Sequence, residues 1–410
     1  MEAHAANVPS NTDAARRVRL LTLTTLFPNA CAPRHGVFVA TRLRKLCDTG
    51  RVTARVVAPV PWFPGAYRAQ RPVPPSETVE GLQTAHPRYW NVPGVGMRLQ
   101  PAALARAWLS HFKRSGEDAT RFDAVDAHYF YPDGVAAARI ARALGLPLVI
   151  SARGSDINVI GDIDFARRQM VDAAHAADAL IAVSAALAER MVALGMPRER
   201  VHVLRNGVDT ALFRPEDRAS ARARLGLREA QWVLAVGNLV PEKRFHVLID
   251  AIAGLPDARL LIVGEGRLRG ELASHAARAA PGRVELRPNM PQAELRFAYA
   301  ACDVLGLPSA REGWPNVVLE AIACGTPVAA APVGGVPEML RPGAPAIIVD
   351  ETDARAWQAA LRTLIDRDVP RAQVRHYALG FGWEDIVERQ CTLYERVAAA
   401  RRARVTLPCG

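Results

Sequence analysis

The 410-residue sequence contains no uninterrupted run of 18 apolar residues, so we expect no helix that crosses a membrane. Residues 1–15 lack the hydrophobic segment of a secretory leader and predict a disordered tail. The patterns G-x-x-x-x-G-K-[ST], G-x-S-x-G and H-E-x-x-H are also missing. The sequence therefore has no motif typical of a P-loop NTPase, a serine hydrolase or a zinc metalloprotease.

The cysteines form no C-x-x-C pair and have no histidine at zinc-binding spacing, which favours reduced thiols in a cytosolic protein. They are Cys31, Cys47, Cys302, Cys324, Cys391 and Cys409. The D-x-D pattern at Asp162–Asp164 is short enough to arise by chance, and we interpret it as the start of a helix. We expect no metal and no cofactor.

Lysine is scarce. Of the 52 lysines and arginines, only Lys45, Lys113 and Lys243 are lysines. The formal net charge is +11, but the arginines are spread along the chain and no nucleic-acid-binding motif accompanies them. We therefore expect no nucleic-acid partner. A basic surface that faces anionic lipid or an anionic acceptor stays open.

One segment resembles a basic interfacial helix. Leu104, Trp108 and Phe112 recur at intervals of four, with basic residues available for the opposite face. The alternative is an ordinary domain helix with a solvated polar face. An anionic membrane surface is thus a candidate partner, and the expected location is the cytoplasm, including the inner face of the plasma membrane.

Short apolar runs alternate with helical patterns, which predicts an α/β fold with parallel sheets. The predicted strands of a first set are Val18–Leu23, Val52–Ala58, Ala124–Ala127, Leu148–Ser151, Leu180–Ser184 and Val201–Leu204. Those of a second set are Trp232–Val236, Arg259–Val263, Val284–Leu286, Val304–Leu307, Pro327–Ala330 and Ala346–Val349. Two such sets predict two doubly wound domains that face each other.

The most informative stretch follows the strand that ends at Leu307. Glu312 lies in the loop, Asn316 begins a helix, Glu320 lies one turn inside it, and Gly325 ends it. Two carboxylates and several free N–H groups therefore meet at the carboxyl end of a strand. Each carboxylate alone has an ordinary explanation, since loops are solvated and helix dipoles favour acidic residues in a first turn.

The pair Glu312-x7-Glu320, followed by A-C-G-T-P-V and G-G-V-P-E, resembles the nucleotide-binding segment of the retaining glycosyltransferases of family 4. The resemblance implies the GT-B architecture, with two Rossmann-like domains around a central cleft. An acceptor-side domain would span residues 16–207, joined by the final helix 383–404. A nucleotide-sugar domain would span residues 208–382.

Motifs in the first half fit this resemblance. Gly36 stands at the entrance of the first helix, where a glycine lets the backbone approach a diphosphate, although an ordinary βα turn is the alternative. His128 resembles the family's histidine that approaches the donor sugar. Arg153 stands where the family commonly has histidine, and Arg153 and Asp156 are candidates for substrate contacts.

The segment G-N-L-V-P-E-K-R resembles a family loop of the form G-R-L-x-x-x-K-G, whose Arg and Lys clamp the donor diphosphate. Lys243 matches the lysine, whereas Asn238 replaces the arginine and Arg244 replaces the second glycine. Either one of the two cationic contacts is missing in this chain, or Arg244, Arg311 or Arg153 takes its place.

The resemblance implies a transferase that moves a hexose, with retention, from a UDP- or GDP-linked donor to a glycan or lipid-linked acceptor in cell-surface or exopolysaccharide biosynthesis. Glu312, Lys243 and His128 would be catalytic, and Glu320 would bind the ribose. The remaining donor-binding residues would be Gly36, Asn238, Gly313, Trp314, Pro315, Asn316 and Val317.

Other functions share the predicted shape. A phosphorylase would need a lysine for pyridoxal phosphate, which three lysines make a poor match. A nucleotide-sugar epimerase would release a converted nucleotide sugar without using an acceptor. A non-catalytic basic binding protein would not bind nucleotides.

Overall fold

A computed structural model describes residues 17–63, 73–91, 96–350, 352–367 and 369–406. The predicted disordered tail over residues 1–15 lies outside this described part of the chain.

Within these residues the strands are numbered in chain order. They are β1 (Val18–Leu23), β2 (Val52–Val57), β3 (Val60–Trp62), β4 (Ser76–Val79), β5 (Leu82–Ala85), β6 (Arg88–Trp90), β7 (Ala124–His128), β8 (Leu148–Ser151), β9 (Ala179–Ala182), β10 (Val201–Val203), β11 (Gln231–Val236), β12 (Ala258–Val263), β13 (Val284–Arg287), β14 (Val304–Leu307), β15 (Val328–Ala330) and β16 (Ala346–Ile348).

The α-helices are numbered in the same way. They are α1 (Val37–Asp48), α2 (Gln100–Ser115), α3 (Val135–Leu144), α4 (Ser155–Asn158), α5 (Asp164–Ala176), α6 (Ala185–Ala193), α7 (Arg218–Leu225), α8 (Phe245–Ala253), α9 (Arg269–Ala279), α10 (Gln292–Ala301), α11 (Asn316–Ala323), α12 (Val336–Met339), α13 (Ala354–Asp366), α14 (Arg371–Ala378) and α15 (Glu384–Thr406).

The chain divides into two compact units. The first takes its described residues from Met1–His128, Ala136–Val149 and Gln390–Gly410, and the second takes its residues from Tyr129–Val135 and Ile150–Arg389. Strand β8 contributes its first half to the first unit and its second half to the second. The predicted domain boundary near residue 207 stays a prediction.

In the first unit the strand order is β8-β7-β1-β2-β5-β4, and β4 alone runs antiparallel to its neighbour in the described pairings. A separate parallel ribbon joins β3 and β6. In the second unit, β9 and β10 pair in parallel, and a second parallel sheet, of six strands, has the order β13-β12-β11-β14-β15-β16. Because helices separate the strands of this second sheet, the α/β prediction is confirmed.

The structure contains a strand at each of the twelve predicted places, with ends that shift by at most two residues. It also contains β3, β4, β5 and β6, which the sequence analysis did not predict. These strands are three or four residues long and lie in a proline-rich region, where no apolar alternation marks a strand.

The interpretation of α2 as an interfacial membrane helix is wrong. Its apolar residues Leu104, Trp108 and Phe112 are buried, and Trp108 Nε1 donates a hydrogen bond of 3.3 Å to the carbonyl oxygen of Val57. The apolar stripe therefore packs in the core of the first unit and is not available to lipid. Among the described helices, none is both long and apolar enough to span a bilayer.

A buried polar chain ties the C-terminal helix into the first unit. Arg42 Nε donates to Gln390 Oε1 at 2.6 Å, and Gln390 Nε2 donates to the hydroxyl of Tyr394 at 2.9 Å. The Tyr394 hydroxyl in turn donates to Asp126 Oδ1 at 2.8 Å. Arg42, Gln390 and Asp126 are fully buried, so these hydrogen bonds replace contacts that the same groups would make with water in the unfolded chain.

We expect Gln390→Ala to destabilise the protein by roughly 1–3 kcal/mol, because it removes a buried acceptor from a guanidinium and a buried donor from a hydroxyl. Gln83→Ala is the matched control, since Gln83 is an exposed glutamine of the same unit, and it should change stability by less than about 0.5 kcal/mol. Urea denaturation followed by circular dichroism measures both. Equal midpoints for the two variants would contradict the expectation.

Candidate functional site

Lys243 and Glu312 form an ion pair at the carboxyl end of the second sheet. Lys243 Nζ lies 2.5 Å from Glu312 Oε1, and their side chains are 21% and 10% exposed. The loops that contain them are also joined by a hydrogen bond of 2.7 Å from the Ala310 N–H to the carbonyl oxygen of Glu242. The structure thus brings together two residues for which the sequence predicted separate contacts with phosphate and sugar.

Glycines let neighbouring backbone segments pack directly against the loop that contains Glu312. A Cβ on Gly313 would lie 2.4 Å from the carbonyl oxygen of Arg153, and a Cβ on Gly334 would lie 2.1 Å from that of Glu312. Gly154, which faces Gly313, has a φ of 132°, a conformation that favours glycine. Any larger residue at Gly313 or Gly334 would push this loop away.

The start of helix α11 is held by Asn206. The indole Nε1 of Trp314 donates to the carbonyl oxygen of Asn206 at 2.9 Å, and Asn206 Nδ2 donates to Asn316 Oδ1 at 3.2 Å. Pro315 caps the helix, and Val317 lies in its first turn. Asn206 therefore holds the start of α11 through both its backbone carbonyl and its side-chain amide.

Glu338, in the predicted G-G-V-P-E motif, makes contacts that the sequence did not indicate. Its Oε1 accepts from the backbone N–H of Ala185 at 2.7 Å and of Ala186 at 3.2 Å, at the start of α6. Its Oε2 accepts from Arg205 Nε at 2.9 Å. The Arg205 guanidinium also lies 5.7 Å from the ring centre of Trp314. Glu338 therefore holds the segment that follows the glycine loop.

Glu320 is buried, with 8% of its surface exposed. Its Oε2 accepts a hydrogen bond of 2.7 Å from the hydroxyl of Tyr299 in α10. Burial raises the pKa of Glu320 to about 7, and the Tyr299 hydrogen bond opposes that rise. No sequence pattern connects these two residues.

Asp156 is fully buried and accepts from three backbone N–H groups, those of Phe130 (2.8 Å), Arg153 (3.0 Å) and Gly154 (2.8 Å). Burial raises its pKa, and these N–H groups lower it. Asp156 therefore holds the loop that contacts Gly313. Its predicted contact with substrate stays a prediction.

The candidates for the second cation lie in different surroundings. Asn238 and Arg311 are exposed. Arg244 lines a cavity of about 260 Å³ between α8 and α9, together with His275. Arg153 is half-buried, and its backbone lies against Gly313.

Gly264 and Gly266 form a G-x-G pattern directly after β12, and backbone packing explains both glycines. A Cβ on Gly264 would lie 2.0 Å from the carbonyl oxygen of Gly237, and one on Gly266 would lie 2.4 Å from that of Leu239. The two glycines let the loop after β12 pack against the loop that leads to Lys243.

Two predicted site residues belong to the first unit. Gly36 has a φ of 69°, and a Cβ there would lie 2.3 Å from the carbonyl carbon of Leu26, so the turn before α1 requires glycine. His128 is fully buried, with Nε2 2.9 Å from Asp126 Oδ2. Asp126 Oδ2 also accepts from the Thr22 hydroxyl at 3.2 Å. The catalytic role of His128 stays a prediction.

Both carboxylates of the D-x-D pattern pair with arginines, Asp162 with Arg190 and Asp164 with Arg167. In the described part of the chain, no three or more His, Cys, Asp or Glu side chains are grouped so that they could hold a metal ion.

Two family models match the chain. "Glycosyltransferase Family 4" matches residues 36–212, and "Glycosyl transferases group 1" matches residues 217–380. The D-inositol 3-phosphate glycosyltransferase 1 of Catenulispora acidiphila is 30% identical over 94% of this chain and 97% of its own length. The D-inositol 3-phosphate glycosyltransferase of Thermobispora bispora is 34% identical over 71% of this chain and 74% of its own length.

Solved structures share the fold. Sucrose-phosphate synthase from Thermosynechococcus elongatus has a TM-score of 0.78 at 20% identity, over 94% of this chain and all of that one. Anabaena HepE in complex with UDP and glucose has a TM-score of 0.71 at 22% identity, over 92% of this chain and 99% of that one. With sequence and fold in agreement, the chain belongs to glycosyltransferase family 4 and is a glycosyltransferase with the GT-B fold.

Proposed function

We propose that this glycosyltransferase takes a hexose from a UDP- or GDP-linked donor and transfers it with retention of the anomeric configuration. The observation that supports the donor site best is the ion pair of Lys243 and Glu312 beside the start of α11. A cation and free helix N–H groups suit a diphosphate, and a carboxylate suits the hydroxyl groups of a sugar.

In this mechanism the bond between the anomeric carbon and the diphosphate oxygen breaks while positive charge grows on the sugar. Lys243 and the N–H groups at Asn316 stabilise the negative charge on the departing phosphate. The acceptor hydroxyl attacks from the same face, and its proton passes to the leaving phosphate. Glu312 holds a donor hydroxyl during this step. Because Lys243 neutralises the phosphate, we propose that no metal is needed.

Arg153 is the best candidate for the second cation at the diphosphate. Its backbone lies against Gly313, next to Glu312, whereas the side chain of Arg244 lines a different cavity. Asn238 stands where the family has arginine, and Arg153 would supply the positive charge that Asn238 lacks.

Two acceptors have support. The relatives named D-inositol 3-phosphate glycosyltransferases favour an inositol phosphate. A cavity of about 320 Å³ in the first unit favours a neutral glycan or lipid-linked sugar instead. Apolar and uncharged polar groups such as Phe27, Asn29, Val60 and Tyr89 line it together with His35, and the described residues that line it include no lysine or arginine. A phosphate would be expected to select a lysine or arginine.

The first prediction concerns the reaction. A thermal-shift screen should select UDP or GDP, because a ligand at 100 times its Kd stabilises the folded protein by about 2.7 kcal/mol.

With the matching donor sugar, mass spectrometry should detect transfer to D-inositol 3-phosphate or to a neutral lipid-linked glycan. Transfer should persist in EDTA. Conversion of the donor without an acceptor would instead indicate an epimerase, and loss in EDTA with rescue by Mg²⁺ would contradict metal independence.

The second prediction concerns Lys243. We expect Lys243→Ala to lower kcat by about 10²–10³-fold, because one preorganised stabiliser of the transition state is removed. Lys243→Arg should recover part of the loss, since a planar guanidinium does not replace a compact ammonium. Arg244→Ala is the matched control, because its side chain lines another cavity. Steady-state kinetics with equal losses for Lys243→Ala and Arg244→Ala would overturn the assignment.

The third prediction concerns Glu312. Glu312→Gln should lower kcat but tighten the binding of free UDP or GDP several-fold, because the carboxylate no longer competes with phosphate for Lys243. Glu242→Gln, on the exposed neighbour of Lys243, should change neither. Isothermal titration calorimetry measures the Kd. Weaker nucleotide binding by Glu312→Gln would show that the ion pair does not compete with the ligand.

A further inference from the structure

Tyr299 is held firmly against Glu320. Its hydroxyl donates to Glu320 Oε2 at 2.7 Å, and its carbonyl oxygen accepts from the Thr326 hydroxyl at 2.7 Å. Its ring packs edge-to-face on Phe213, with 6.0 Å between ring centres. Tyr299 is fully buried, and these three contacts fix the orientation of its ring and hydroxyl.

Other polar groups near Glu320 are committed elsewhere. From α14, Arg371 Nη2 donates to the carbonyl oxygen of Cys302, and Arg375 donates to the carbonyl oxygens of Phe213, Ala323 and Thr210. At the end of α11, burial raises the pKa of the Cys324 thiol to about 12, so this thiol stays neutral near pH 7. The Tyr299 hydroxyl is the side-chain donor to Glu320 among the described residues.

We propose that Tyr299 is a positioning residue for nucleotide recognition, because its hydroxyl orients the Glu320 carboxylate toward the ribose of the donor. Oε2 already accepts a hydrogen bond from Tyr299, so Oε1 is the oxygen that we expect a ribose hydroxyl to approach. This proposal rests on the proposed function, in which Glu320 binds the ribose.

The hydrogen bond also affects the ionisation of Glu320. Burial raises the pKa of this carboxyl to about 7, and the Tyr299 hydrogen bond lowers it by stabilising the charged form. Removal of the hydroxyl would therefore raise the pKa further and increase the neutral fraction of Glu320 at pH 7. A neutral carboxylic acid is a weaker acceptor than a carboxylate.

Tyr299→Phe tests the proposal. At pH 7 we expect the donor KM and the Kd of the free nucleotide to rise about 2- to 10-fold, which is the size expected for the loss of one hydrogen bond. We expect little change in kcat. The defect should shrink as the pH is raised to 9, because Glu320 then ionises without help. Tyr377→Phe is the matched control: it loses a hydroxyl that donates to the carbonyl oxygen of Met339, and it should show no such pH dependence.

Glu320→Gln separates the two hypotheses, because it removes the titration while keeping the side chain. If Glu320→Gln leaves the nucleotide Kd unchanged, the ribose assignment in the proposed function fails. If Glu320→Gln weakens nucleotide binding, the ribose assignment stands and Tyr299→Phe decides the proposal. The proposal is overturned if the rise in Kd caused by Tyr299→Phe is the same at every pH, or is equally large when Glu320→Gln is also present. Tyr299 would then have only a structural role.

A second measurement does not require Tyr299→Phe to fold. In the unmodified protein, the nucleotide Kd should improve as the pH rises through about 7, beyond the change caused by titration of the nucleotide phosphate. Glu320→Gln provides that phosphate baseline, measured by calorimetry from pH 6 to 9. Identical pH profiles for the two proteins would overturn the proposed control of ionisation.

Discussion

The position of the candidate donor site depends on the contact between the backbones of Arg153 and Gly313. No Cβ fits at Gly313, where it would lie 2.4 Å from the Arg153 carbonyl oxygen, or at Gly334, where it would lie 2.1 Å from that of Glu312. Three loops therefore meet without intervening side chains, which leaves little freedom for the residue between them. Glu312 is that residue, and its contact with Lys243 follows from the path of the loop.

The ion pair of Lys243 and Glu312 links two roles that the family resemblance treats separately. Each charge is mostly shielded from water, so each benefits from the other when no substrate is present. In the proposed mechanism, an entering donor would offer a phosphate to Lys243 and a hydroxyl to Glu312, and these contacts would replace the ion pair. The binding of diphosphate and the binding of sugar would then be coupled through a single pair of atoms.

The sequence predicts what depends on local pattern. Short apolar runs such as Val18–Leu23 marked the strands, and Asn316 after the loop of Glu312 marked the helix start at the candidate site. Spacing by fours at Trp108 did not distinguish a face toward lipid from a face toward the core, because both require the same periodicity. Tyr299 could not be found either, since its meeting with Glu320 depends on how two helices pack.

The buried chain that starts at Arg42 joins residues 348 positions apart in sequence, because its acceptor Gln390 lies on α15. During synthesis on a ribosome, the N-terminal part of the protein therefore emerges early but lacks the last pieces of its core. The second unit, contained within residues 129–389, can be completed first. The first unit is thus finished after the second, and until α15 has emerged it exposes surface that chaperones would be expected to cover.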